Sequence, residues 1–293
     1  MSNGGKPTDG GNLLLSNEEK NSLIAIDIKA EHWIRPFLMG DEFINNIGRW
    51  CLWLVNIPPA ELRAMPHVLK RVEGVRAMRQ ASTKAATVAL ASSPTLFGEI
   101  RQPQSKRYLA IPKVSSERRQ FIPIGYLDSE VICGDKIFFV DDASLFTFGV
   151  LTSTMHNAWM RQTCGRLESR YSYSNTIVYN NYPWPGFAGE PLSDKHRGAI
   201  ELAAQGVLDA RAQFASSSLA DLYDPLTMPP ALLKAHQKLD TAVDAAYQPS
   251  GGKKTYASDA ERVAFLFELY QRITSLLPAQ AVKKTRKTKS TES

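Results

Sequence analysis

At residues 179–186 the sequence reads YNNYPWPG, and the patterns on its two sides differ in kind. So dense a run of Pro, Asn and Gly interrupts any regular element. Before it, from residue 108, short apolar runs are separated by turn residues: YLAI, QFIPIGYL, KIFFV and LFTFGVL. Runs of this length predict strands and a sheet-rich centre. After it, segments 194–217, 230–247 and 258–276 carry apolar residues at helical spacing. The last opens with Ser258 and Glu261 at capping-box spacing, sets Val263, Leu266, Tyr270, Ile273 and Leu277 in one stripe, and stops at Pro278. The expected fold is therefore α+β: a mixed sheet-and-helix domain over 12–186, followed by a small all-α domain over 187–278.

Residues 1–11, rich in Gly, and the end of the chain, 279–293, are expected to be disordered. Ordered structure is expected to start at LLLSNEEK, a capped helix start with early acids. The run WCLWLV at 50–55, closed by Pro58 and Pro59, predicts a buried strand. Residues 61–84 predict a helix with Leu69, Val72 and Val75 on one face, and 151–164 a second one, with Leu151, Met155, Ala158 and Trp159 aligned and Gly165 as C-terminal cap. Asp240 and Asp244, one turn apart, read as an outer charged face rather than a catalytic pair. Trp159, Tyr182 and Trp184 read as core rather than as base-stacking platforms.

Hydrophobic residues make up 43% of the chain and charged residues 22%, enough apolar side chains to bury a core. No apolar run approaches the ~18 residues that cross a membrane, and the N-terminus lacks the blocks of a signal peptide, so a cytoplasmic protein is expected. Cys51, Cys133 and Cys164 give neither a disulfide framework nor a CxxC pair, and the histidines lack metal-ligand spacing, so no metal is expected. The net charge of +6 points to an anionic partner. Five basic residues sit in the tail between Lys283 and Lys289, but two inner segments are also biased. Residues 101–127 hold Arg101, Lys106, Arg107, Lys113, Arg118 and Arg119 against Glu117. Residues 63–84 hold Arg63, Lys70, Arg71, Arg76, Arg79 and Lys84 against Glu73. Such segments fit a phosphate footprint, or equally a solvated, salt-bridged surface.

Five blocks carry a resemblance: GGNLLLSNEEK at 10–20, FINNIGRWCLWL at 43–54, LFGEIRQP at 96–103, IPKVSSERRQFIPIGYL at 111–127, and the long run from FGVLTSTMHNAW to NNYPWP at 148–185. In these the sequence resembles the MmeI-like DNA methyltransferases, many of them fused restriction and modification enzymes that methylate adenine at N6. The resemblance covers most of residues 10–250 and implies a target-recognition domain with a helical C-terminal region. It also implies double-stranded DNA as partner, a methyltransferase domain in cis or in trans, and S-adenosylmethionine as cofactor of the parent enzyme. In this chain no glycine stands in a G-x-G arrangement, and the run Asn56-Ile57-Pro58-Pro59-Ala60 separates its amide from the prolines and ends without a ring. No catalytic residue and no bound cofactor are therefore expected here. The competing readings are a complete small DNA-modifying enzyme with unrecognised motifs and a truncated remnant.

Site residues follow from chemistry and resemblance together. If GRLESRYSYS at 165–174 is extended, Leu167, Tyr171 and Tyr173 face one way and Glu168, Arg170, Ser172 and Ser174 the other. Arginine bonds guanine O6 and N7 in bidentate fashion and a carboxylate accepts from the cytosine amino group. Glu168, Arg170 and Ser172 are thus the expected base-reading residues, and the resemblance points to the same stretch. The alternative is that Glu168 and Arg170 form only a surface ion pair. Arg101, Lys113, Arg118, Arg119 and Arg166 are the expected phosphate contacts, which set affinity rather than sequence.

Overall fold

The computed structural model describes residues 1–187 and 191–275, so Pro278, the basic tail and the disorder expected there lie outside the described residues. The N-terminal segment departs from expectation, because residues 1–11 are built into the fold. Strand β1 (Ser2–Asn3) pairs antiparallel with Phe138 and Phe139, and Gly5 N donates to Cys133 O at 2.7 Å. A Cβ at Gly4 would collide with the Gly134 carbonyl. The glycines that suggest flexibility in the sequence instead permit a close backbone approach.

Strand β2 (Leu14–Leu15) leads into α1 (Asn17–Ile26), whose expected capped start is a full capping box: Ser16 Oγ accepts from Glu19 N and Glu19 accepts from Ser16 N. Then come β3 (Ile34–Leu38), α2 (Gly40–Asn45) and β4 (Trp50–Leu52), the last being the strand read in WCLWLV. The single helix expected over 61–84 is divided into α3 (Pro59–Arg63) and α4 (Pro66–Gln80), because Pro66 has no N–H to continue the ladder and restarts it at its first turn. A short α5 (Ala85–Ala89) follows. Val68, Val72 and Val75 form the buried face of α4, and Leu69 is only half-buried.

The centre holds β5 (Arg107–Pro112), β6 (Val114–Ser115), β7 (Gly125–Asp128), β8 (Ile132–Cys133) and β9 (Ile137–Asp141). Three of them join β1 in an antiparallel sheet of order β1-β9-β5-β7. In the sheet β2-β4-β3-β8, only the β3–β8 pair is parallel. The run LFTFGVL, expected as a strand, is helix α6 (Leu145–Thr152). Ser144 Oγ caps it by accepting from Thr147 N at 3.2 Å. Its apolar side chains are buried nearly all round, and so continuous a run has no stripe from which a period can be read. Helix α7 (Thr154–Thr163) follows a break at Ser153. It ends in extended backbone at Cys164, so Gly165 opens a strand instead of capping a helix.

Strands β10 (Gly165–Leu167) and β11 (Arg170–Ser172) make a hairpin that pairs on through β11 to β6. The helical region then supplies α8 (Asp194–Ala212), α9 (Leu219–Leu222), α10 (Pro230–Tyr247) and α11 (Asp259–Thr274). Helix α8 packs on α6 and α10, and α11 packs on α7. One hydrophobic core therefore joins Leu109, Ile111, Val150 and Trp159 to Ile200, Leu239 and Leu266. The break expected at 186 is a change of element type above a shared core. A second core, with Leu13, Phe37, Leu52, Val68 and Phe97, lies beneath the N-terminal elements.

The shared core overturns the surface reading of Asp240 and Asp244. Asp240 accepts from Thr154 N at 2.7 Å and Thr154 Oγ1 at 2.6 Å, so it caps the start of α7. Asp244 is 4% exposed and pairs with Arg262 at 3.1 Å. Burial pushes both carboxyls up, Asp244 to about 6, with Arg262 opposing the rise. Trp159 is core as expected, its Nε1 donating to Val178 O at 3.0 Å. Among the described residues no helix is long and apolar enough to cross a membrane.

Candidate nucleic-acid interface

The stretch 165–174 is not one extended strand. It reverses at Glu168 and Ser169, with Glu168 in the left-handed region at φ 57°. Pairing sets Leu167 opposite Arg170 and Arg166 opposite Tyr171. Residues directly opposite share a face, so Leu167 lies on the Arg170 face and Arg166 on the other. Tyr171 is buried in the main core, and the Arg166 guanidinium covers its ring at 4.1 Å while donating to Ser169 O at 2.9 Å. Alternation along a strand cannot reveal this reversal: a two-residue turn pairs residues three apart and so inverts the odd–even pattern across it.

Arg170 is exposed, and its Nη2 lies 2.8 Å from Glu168 Oε2. Such a pair in solvent is worth ~0 to 1 kcal/mol, little enough to be exchanged for other partners. Ser172, half-buried, sits deeper in the sheet between Gly165 and Val114.

Strand β6 places the phosphate candidates beside this hairpin. Lys113 directly precedes β6, with Nζ 4.5 Å from the centre of the Phe138 ring. Burial lowers the pKa of its ammonium group; the charge of Asp135 opposes this, and those of Lys136 and Arg101 add to it. Arg101 is thus close enough for its field to be felt, although it is ion-paired with Glu99 at 2.7 Å. After β6 a turn closes through Arg119 N to Ser116 O at 3.2 Å and sends Arg118 into solvent. Arg119 turns back and is half-buried, and its Nε has no hydrogen-bond partner among the described residues. Burial lowers its pKa, with Asp224 opposing.

Arg119 and Arg170 meet at a cleft of about 330 Å³ between α2 and the hairpin, which Lys136, Asp41 and Asn45 also line. Sequence reasoning missed these last three. Lys136 reaches the site because Lys113 N donates to Lys136 O at 3.0 Å, a pairing that nothing in its own surroundings announces. Arg118 and Arg166 are not among the residues lining the cleft.

The basic segment 63–84 proves less available than its charge suggests. Arg79 is fully buried and donates to the carbonyls of Pro7, Thr8, Leu90, Ser93 and Leu96 at 2.7 to 3.1 Å. Arg71 bonds Asn12 O and pairs with Glu19 at 2.8 Å. Arg63, Lys70, Arg76 and Lys84 remain exposed.

Residues 1–186 match the family model of the MmeI target recognition domain, and residues 192–278 match that of the MmeI C-terminal domain. The chain belongs to the MmeI family. It is 34% identical over 271 residues to DNA methyltransferase A of Bacillus subtilis (strain 168), an alignment covering 92% of this chain and 30% of the relative. It is also similar to the solved structure of the type IIL restriction-modification enzyme MmeI in complex with DNA, with a TM-score of 0.88 at 49% identity over 94% of this chain and 35% of that one. The chain thus spans about a third of the length of each of these relatives. The target-recognition match begins at residue 1 rather than 12, in keeping with the paired N-terminal strand.

A methyltransferase of the MmeI family implies S-adenosylmethionine, and the tightly packed glycines among the described residues do not fit such a cofactor. Where a Cβ would clash, the obstacle is the chain itself: Asn12 at Gly74, Phe37 at Gly134, Ile200 at Gly149. These glycines serve packing between elements and leave no bare backbone for a ligand to approach.

Proposed function

We propose that this chain is a sequence-specific DNA recognition module of an adenine-N6 methyltransferase in a restriction-modification system, borrowing its chemistry from a catalytic domain in cis or in trans. The observation that carries this reading is the convergence of Arg170, Arg119 and Lys136 on one cleft, with Lys113 beside the strand that forms its floor. Glu168 and Arg170 lie side by side at the hairpin tip, where an acceptor and a bidentate donor match one C·G pair in the major groove. Ser172 extends the same strand. Arg101, Lys113, Arg118, Arg119 and Arg166 supply the positive surface, which releases counterions from the duplex. S-adenosylmethionine would be held by the catalytic domain, and the setting would be the cytoplasm. What supports DNA as the ligand is the MmeI relative solved in complex with DNA, together with this charge.

The test is duplex affinity as a function of salt. Lys113→Ala is expected to weaken binding to all sequences alike and to reduce the slope of log K against log salt by ~1. A slope unchanged by the substitution, or binding indifferent to salt, would contradict the phosphate role.

A further inference from the structure

Helices from the C-terminal half grip the arginine-bearing loop 116–124 at four of its residues. Arg161 of α7 donates through Nη1 to Gln120 O at 2.9 Å. Phe121 stacks on His236 of α10, with ring centres 4.0 Å apart. Ile122 N donates to Asn157 Oδ1 of α7 at 2.9 Å, and Arg211 of α8 donates to Ile124 O at 2.6 Å. Arg211 also bonds Tyr223 Oη, which lies 2.9 Å from His236 Nε2. The grip on Ile124 and the stack on Phe121 are therefore parts of one buried network. Arg161 reaches further still, with Nε and Nη2 donating to Asp259 Oδ2 at 3.0 and 2.6 Å, at the first turn of α11.

The other end of the loop is fixed differently. Ser115 pairs with Tyr171 and Val114 with Ser172, so the chain entering the loop is the third strand of the base-reading sheet. Arg118 and Arg119 stand between these two anchors. Their distance from Arg170 is set by the hairpin on one side and by α7, α8 and α10 on the other. Guanidinium groups on a backbone turn bind phosphates well only when that turn is held in register, since ordering it at the moment of binding costs conformational entropy.

We propose that Arg161 is a positioning residue for DNA binding: by tying Gln120 to Asp259 it uses the C-terminal helices to hold the Arg118–Arg119 turn at its working distance from the hairpin. This rests on the reading of the cleft as a duplex-binding surface. Arg161 itself is mostly covered and touches no ligand in this scheme. The helical region, which carries none of the expected contacts, thereby becomes part of the DNA affinity.

Three proteins decide it: the wild-type chain, Arg161→Met and Arg161→Lys. Hydrogen exchange without DNA reads the loop directly through the amides of Arg119 and Ile122, and duplex titration reads the consequence. Arg161→Met is expected to speed exchange at these two amides, leaving the cores protected, and to weaken binding about tenfold on every sequence with the preferred site unchanged. Arg161→Lys, which keeps a cation between Asp259 and Gln120, is expected to recover part of both losses. In an Arg119→Ala background, Arg161→Met should cost less, because the cleft-lining member of the pair it positions is gone. Unchanged loop exchange would overturn the proposal, and so would a loosened loop with undiminished affinity. If the wild-type chain shows no salt-dependent duplex binding at all, the reading of the cleft fails, and the exchange arm still reports whether Arg161 fixes the loop.

Discussion

Charged residues in this chain divide into those that hold the fold and those free to meet a partner, and the sequence does not separate them. Arg79 and Arg76 stand three residues apart on α4, yet one lies buried among five carbonyls and the other faces solvent. A guanidinium has five N–H donors in a fixed fork, which suits it to gather carbonyls that would otherwise be buried without partners. Arg79→Met is expected to lower the free energy of unfolding by at least ~3 kcal/mol, because it strands several acceptors at once, and to leave base preference intact in whatever protein still folds. Denaturant unfolding of the variant measures this. At the hairpin, by contrast, the residue types themselves were informative. A carboxylate and an arginine two positions apart, flanked by tyrosines that bury, mark Glu168 and Arg170 as the exposed pair they prove to be. What the spacing could not show was the reversal between them, which moves Arg166 to the far face.

Among the elements, helices with a stripe and a cap were legible, and elements defined by their neighbours were not. Ser16 with Glu19 and Ser258 ahead of Glu261 announce α1 and α11 from local chemistry alone. Helix α6 lacks a polar face because its surroundings are apolar, and β1 is strand only because β9 lies alongside. Asp240 and Asp244 belong to the same class, since one turn of α10 looks alike whether it meets water or α7. Their burial has a consequence for pH. The folded state binds the Asp244 proton more tightly than the unfolded state does, so protonation favours folding. That contribution is present below about pH 4 and is lost as the pH rises through about 6. Arg262 and Asp240 are the charged groups that bear on it, with opposite signs. Buried His156 acts in the reverse sense, its pKa driven down to about 3, so its share is lost as acid charges the unfolded chain. The Asp244 effect is therefore read as a difference. Relative to the wild type, Asp244→Asn is expected to gain stability between pH 4.5 and 7 on the order of 1 kcal/mol, measured by urea unfolding at each pH.

On the scale of the whole molecule, the sequence divides at residue 186 and the packing does not. Two family models meet there, and the expected α+β class with a helical C-terminal region holds. The core nonetheless runs on from β5, α6 and α7 into α8, α10 and α11. Hydrophobic period reports what kind of element a segment forms, whereas the sharing of a core depends on contacts between residues far apart in sequence. The site inherits this arrangement, since its hairpin stands on the core by Tyr171 and Tyr173 and its arginine loop is gripped by helices from the far half. A surface so braced can present a fixed array of donors to a duplex. The proposed role of Arg170, at the hairpin tip, is to read a base within that array. It is tested most directly by selecting bound duplexes from a random pool, in parallel, with the wild-type chain and with Arg170→Ala. One enriched motif is expected for the wild type and, for the variant, the same motif with a single position relaxed by ~1 to 3 kcal/mol. An identical motif from both proteins, or none from either, would contradict it.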